Sequence, residues 1–223
     1  MREKQIERRN KSLSIMSNMG VDFHSSLPLL ESSEQVKLKD LDTICRRAIA
    51  SLIMTQLSCS ITNGENYEEC KAFIIELLTR FGVEGCLNNV EKSLLLPDYT
   101  EQNVIDVEWE YETFWALCWA LGLIEREELD PPYQICDCEK AITLVATQPS
   151  FEAFKKSCKL RDIEDILDML DLFYNYHWTC VEKRVNPNTN LGSLVPGIVM
   201  ERRKGLEWLI SEEDDWNEIS LDT

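Results

Sequence analysis

The sequence predicts an all-α fold, about seven to nine helices packed around one central tryptophan-rich helix with little or no sheet. Three observations carry this. Apolar residues recur at helical spacing from end to end, with no tandem repeat or low-complexity linker. Three of the six tryptophans, Trp109, Trp115 and Trp119, fall within Glu108 to Gly122. Strong helix breakers divide the chain at Asn63-Gly64, Asp130-Pro131-Pro132 and Asn186 to Gly192. With 223 residues, 44% of them apolar, the chain suits one helical domain over 1–223. Its amino-terminal helix (1–19) and acidic tail (211–223) read as peripheral segments.

Met1 to Met19 mixes Arg2, Lys4, Arg8, Arg9 and Lys11 with Glu3 and Glu7 and reads as an amphipathic helix. The second helix begins after Asp40 as N-cap, because Leu41, Ile44, Cys45, Ala48 and Leu52 then form one stripe, flanked by Arg47. A third follows the Asn63-Gly64 turn, carries Phe73, Ile74, Leu77 and Leu78, and stops near Gly82. Leu94 to Pro97 closes a short helix or connector.

The central helix is expected over about Gln102 to Ile124, apolar around most of its circumference and therefore buried on several sides. Glu108, Glu110 and Glu112 lie early in it, where the positive end of the helix dipole tolerates carboxylates. Glu112 shares a side with Trp119 and Leu123, so a carboxylate enters apolar surroundings. Shorter helices follow near Glu139 to Thr147 and Ser150 to Ser157. A long helix spans roughly Asp162 to Arg184, with Ile166, Leu170, Phe173, Tyr174, His177 and Trp178 on its inward arc. The last runs from about Pro196 to Ile210. Trp216 follows an acidic run, Glu212 to Asp215, and is expected to dock the tail by its ring.

The formal net charge is -17, so the surface repels phosphate backbones and anionic lipid. Neither nucleic acid nor a membrane surface is expected as a partner, whereas a basic protein or peptide is steered favourably. The longest apolar run, Thr113 to Ile124, is well short of the roughly 20 residues a membrane-spanning helix needs. Nine cysteines without a secretory signal fit the reduced cytoplasm better than a disulfide scaffold.

Taken in order and spacing, several landmarks resemble the bacterial family called domain of unknown function 4272, over nearly the whole chain. They are Arg9 to Leu13, Gly20-Val21, Leu27-Pro28, and Asp40 to Ala48 with Arg47. Trp109 with Glu112, Trp119 to Gly122, and Cys136-Asp137 follow, then Asp171, Tyr174 and Trp178. Arg203 with Leu206 and Trp208, Asp215-Trp216, and Asp222-Thr223 complete the series. Where the family pattern commonly has a basic residue after the first Trp, this chain has Glu110. The resemblance implies a predominantly helical bacterial protein and brings no established activity.

The sharpest chemistry is a candidate buried polar network of Arg47, Glu112, Asp171, Arg184 and Arg203, with Trp119, Tyr174 and His177 beside it. Charges on apolar helix faces require partners of opposite sign. Such a network either fixes how the helices cross or forms the floor of a ligand pocket. His177, one of two histidines, is either a hydrogen-bonded core residue or a proton-transfer group. No Gly-x-Ser-x-Gly elbow or glycine-rich phosphate loop occurs, so no catalytic residue and no cofactor is expected. The Cys136-x-Cys138 spacing is too tight for a zinc knuckle, and no metal is expected. Two functions follow. The first is a non-enzymatic cytoplasmic protein-interaction module that binds a basic partner, in the manner of an immunity protein or antitoxin. The second is an enzyme or small-ligand receptor with a polar pocket between the central helix and the 162–184 helix.

Overall fold

In the computed structural model, which describes residues 2–223, Glu101–Ala120 lies at the centre because its second half is apolar around most of its circumference. From Tyr111 to Ala120 every residue of this helix is buried. The described residues form ten α-helices and no strand: α1 (Arg2–Asn18), α2 (Leu41–Thr62), α3 (Tyr67–Phe81), α4 (Asn89–Leu94), α5 (Glu101–Ala120), α6 (Arg126–Leu129), α7 (Cys138–Ala146), α8 (Phe151–Ser157), α9 (Ile163–Val185) and α10 (Pro196–Trp208). No helix among them is long and apolar enough to cross a membrane.

The helices stack in an order that decides where a site can form. α2 and α10 flank α5 on two sides; α9 packs on α10, and α1 on α9. On the other side, α3, α7 and α8 each pack against α2. Thus α10 lies between α5 and α9. The polar pocket expected between those two helices is replaced by a third helix. Gly205 lets α10 come that close, since a Cβ there would stand 2.8 Å from the Thr113 carbonyl oxygen of α5.

Most helix starts follow from their caps. The side chains of Asp40, Asn66, Thr100 and Asp162 each accept a backbone N–H from the first turn of the helix they precede. The end of α5 differs from the sequence expectation. It stops at Ala120 instead of Ile124, because Gly122 takes a left-handed conformation (φ 68°) and the Leu123 N–H turns back to the Cys118 carbonyl. A Cβ at Gly122 would also meet the Lys159 carbonyl at 2.7 Å, so this turn packs directly on the strap leading to α9. α1 docks through a largely polar face. Its buried residues are Arg8, Arg9, Ser12 and Met16, and ion pairs to α9 hold it.

One residue of the tail is buried in the core. Trp216 is fully buried, edge-on to Trp208 at 6.0 Å, as its position beside the acidic run led us to expect.

Candidate functional site

The expected network resolves into separate clusters, each built around its own arginine. Glu112 is 2% exposed, and its Oε2 accepts from Arg202 Nε at 2.8 Å while its Oε1 accepts the Cys136 N–H at 2.7 Å. Arg202 also donates to the carbonyls of Leu129 and Gln134. The pair therefore clamps the 129–136 connector onto α5 and α10. Asp171 is bound by Arg9 at 2.9 Å and by the Ser12 hydroxyl at 2.7 Å. Arg9 in turn donates to the carbonyls of Leu27 and Pro28, tying down the segment after α1.

His177 pairs with Arg203. The guanidinium can only donate, so Nδ1 at 2.7 Å is the acceptor and the neutral imidazole carries its proton on Nε2. Burial, then the charges of Arg203 and Arg184, push the His177 pKa down to about 4. Arg203 also holds the tail through the carbonyls of Leu221 and Asp222. Tyr174 lies against both Arg9 and Arg203, with ring centroids 5.7 and 4.9 Å away. Trp119 is buried under Arg161, and Arg184 is exposed at the end of α9.

Arg47 belongs to a fourth cluster, away from Glu112. It pairs with Glu91, lies 3.7 Å from Glu110 and stacks on the Trp216 ring at 3.9 Å. Glu110 accepts from the Trp216 indole N–H at 3.0 Å and the Asn88 amide at 2.6 Å. Glu110 is thus the docking point of the tail. Two buried carboxylates share one guanidinium, and burial together with the charge of Glu91 raises the Glu110 pKa well above its ordinary value.

The sequence reading missed Arg202, Arg9 and Glu91 as partners. Arg202 falls on the stripe of Val199 and Leu206, the spacing of a buried face, and was legible from that period. Glu91 was legible as the third residue of a capping box begun by Asn88.

Among these groups Trp119 Nε1, Arg47 Nε and Glu110 Oε2 have no hydrogen-bond partner, and a cavity of about 210 Å³ reaches Cys136 and Arg202; a larger opening lies elsewhere. α3 and α7 both rest on α2 and leave between them a groove of about 700 Å³. Its α2 residues are Leu52, Ile53, Gln56, Cys59, Ser60 and Asn63. From α3 come Phe73, Ile74 and Leu77, and from α7 Ile142, Val145 and Ala146. Phe73, expected within the apolar stripe of its helix, is 59% exposed, and Ile142 is 37% exposed. Glu65 and Glu69 stand at one end, and Arg80 stands at the other, where it donates to the Gln148 carbonyl and ties α3 to the end of α7. Burial pushes the Cys59 thiol up to about 11, so it is a protonated, weakly nucleophilic wall residue at neutral pH. A second cavity, of about 490 Å³, lies beside the tail. Its arginines are already committed, Arg46 to Asp42 and Arg47 to Glu91.

The nine cysteines are free thiols, and Cys136 and Cys138 bond to backbone carbonyls. Among the described residues no three His, Cys, Asp or Glu side chains converge as a metal site. The chain belongs to the DUF4272 family, a domain of unknown function, whose model matches residues 8–219. The match takes in the paired side chains of all four clusters and the groove, and stops short of Leu221 and Asp222, whose carbonyls Arg203 holds. No curated protein and no solved structure matches the chain.

Proposed function

We propose that this chain is a non-enzymatic protein-interaction module that docks a basic partner in the groove between α3 and α7. The exposure of Phe73 carries this reading. A phenylalanine at 59% exposure, beside Ile142 and above an apolar floor, forgoes burial worth about 1.5–3 kcal/mol for a fully sequestered side chain. A contiguous apolar concavity rimmed by charge is the usual form of a docking surface. The net charge of -17, with Glu65 and Glu69 at the groove, supplies long-range attraction for a cationic partner. Neutralising a basic protein by occlusion, as an immunity protein or antitoxin does, is the concrete version. It needs complementarity and no chemistry. A reducing cytoplasm suits the nine free thiols.

The test is co-purification from the native host of the wild-type chain and a Phe73→Glu variant, at low and high salt, with cross-linking to locate the contact. A stoichiometric basic partner is expected with the wild type, cross-linked near α3 and released by salt. The variant, folded but carrying a carboxylate above the apolar floor, should lose it. Retention of the same partner by Phe73→Glu, or recovery of the wild type alone at low salt, would overturn the reading.

A further inference from the structure

We infer that the occupant of this groove is a single amphipathic α-helix of about three turns, seated with its amino-terminal turn and a flanking Lys or Arg against Glu65 and Glu69, and its carboxyl end toward Arg80. The inference rests on the protein-binding reading above and adds the partner's form and direction.

The form follows from the walls. The groove is bounded by α2, α3 and α7, whose backbone N–H and C=O groups are bonded within their own helices. No strand edge is offered. An extended peptide laid in the groove would have only a few side chains, such as Gln56, Ser60 and Asn63, to bond in place of a strand edge, and each backbone group buried without a partner would cost about 1–3 kcal/mol. A helix brings its hydrogen bonds with it. It would fill the gap between α3 and α7 as the neighbour that α2 lacks on this face.

The length follows from the lining. On α2 the groove runs from Leu52 to Asn63, and on α3 from Glu69 to Phe81. At 1.5 Å per residue these two walls are about 16–18 Å long, or three turns, while α7, from Ile142 to Ala146, flanks about one turn. An occupant of that length presents apolar side chains at i, i+3, i+4 and i+7 to Leu77, Ile142 and Phe73.

The direction follows from the charges at the two ends. α2 finishes and α3 begins at the Glu65 end, so their opposing terminal dipoles largely cancel and the two carboxylates dominate. Both are exposed, and Glu65 bonds only weakly, to the Cys70 thiol at 3.4 Å. They complement the unpaired N–H groups at the start of an occupant helix and a cation just before it. Arg80, which already donates one N–H to the Gln148 carbonyl, keeps further guanidinium donors for the carbonyls at the occupant's end.

The probe is a fluorescein-labelled peptide of about 14 residues with leucines at helical spacing and two lysines at its amino end. Three companions are used: the same leucines with the lysines at the carboxyl end, an analogue interrupted by proline, and the parent at high salt. Anisotropy titration should give a Kd below about 100 µM for the parent. A gain of helical circular dichroism should accompany binding. Moving the lysines, or substituting Glu65→Gln and Glu69→Gln together, should weaken binding about 10-fold, and Phe73→Glu should abolish it. Because that last variant adds negative charge, nonspecific electrostatic association would strengthen instead. If no peptide binds, or if Phe73→Glu leaves binding intact, the docking reading fails and this inference with it. If binding needs Phe73 but the proline analogue binds as tightly as the parent, the groove stands and the helical occupant is overturned. Equal affinity for the two lysine placements, with binding still dependent on Phe73, overturns the direction.

Discussion

The two sides of this molecule misplace opposite kinds of group. Around α10, ionisable side chains are buried: Arg202, Arg203, Glu112, Asp171 and the neutral His177 are all less than 7% exposed. Across α2, at the groove, apolar side chains are left in water. The difference lies in whether the misplaced group has a partner. Each buried charge near α10 is bonded to another side chain and, through its arginine, to backbone carbonyls of a connector or the tail. Those clusters are fasteners, replacing turns and caps that the irregular segments 27–28, 129–136 and 221–222 lack. Phe73 and Ile142 have no such partner within the chain. Satisfied polarity in the interior reads as architecture, and unsatisfied apolarity on the surface reads as an invitation.

The strongest way to break this contrast is to remove a fastener. Glu112→Ala should leave Arg202 charged and buried, and the Cys136 N–H unbonded, at a cost of about 3–5 kcal/mol in urea or thermal unfolding. An apolar double replacement, Glu112→Leu with Arg202→Met, should fail to recover most of that loss. Buried ion pairs are often replaceable, but here Leu129 and Gln134 would also lose their donor. Near-wild-type stability of Glu112→Ala would mean that the cluster fastens nothing and could serve as a site.

Much of this architecture was legible in the sequence and part of it was not, for a definite reason. The helices follow from periodicity, caps and breakers, which act over a few residues, and the docking of Trp216 from its place beside the acidic run. Glu112 and Asp171 were identified as buried charges on the same basis. Their partners were not. Glu112 to Arg202 and Arg9 to Asp171 are contacts between distant segments, and helical angles fix a face without naming the helix it meets. Arg202 and Arg203 differ by one position, or about 100° around α10, and this alone decides whether the guanidinium reaches Glu112 or His177. The groove was invisible for the converse reason. Phe73 sits at core spacing, and only the absence of a neighbour over α2 leaves it exposed.

A smaller effect separates two fasteners from each other by pH. His177 has its pKa lowered to about 4, so its contribution to stability is complete above the ordinary histidine value of 6.5 and is lost as pH falls from there toward 4. Glu110 is shifted upward, so its contribution is complete below its ordinary 4.5 and is lost as pH rises above that value. Between pH 4.5 and 6.5 the two slopes oppose. His177→Gln, whose amide oxygen can still accept from Arg203, should flatten the acid limb by about 2 kcal/mol, allowing for partial solvent screening. Glu110→Gln should flatten the opposite limb and keep the indole of Trp216 bonded. Urea unfolding of both variants from pH 4 to 8 checks the signs, and a common slope for the two would show that they do not titrate independently of one another.

The smallest effect is the most discriminating. If the groove is a docking surface and not a flaw in packing, Phe73→Ser should change unfolding free energy by less than about 0.5 kcal/mol, because a mostly exposed ring contributes little to the isolated fold. Leu78→Ala, one helical turn and a face away and 1% exposed, should cost about 2–5 kcal/mol in the same experiment. The two substitutions lie on one helix and Phe73→Ser deletes the larger apolar group, so a smaller loss there measures exposure rather than the size of the group removed. A loss for Phe73→Ser approaching that of Leu78→Ala would mean that the ring is covered in solution. The groove would then be closed by the chain itself, and the contrast between fastened charge and unpartnered apolar surface would collapse at the point where function was inferred from it.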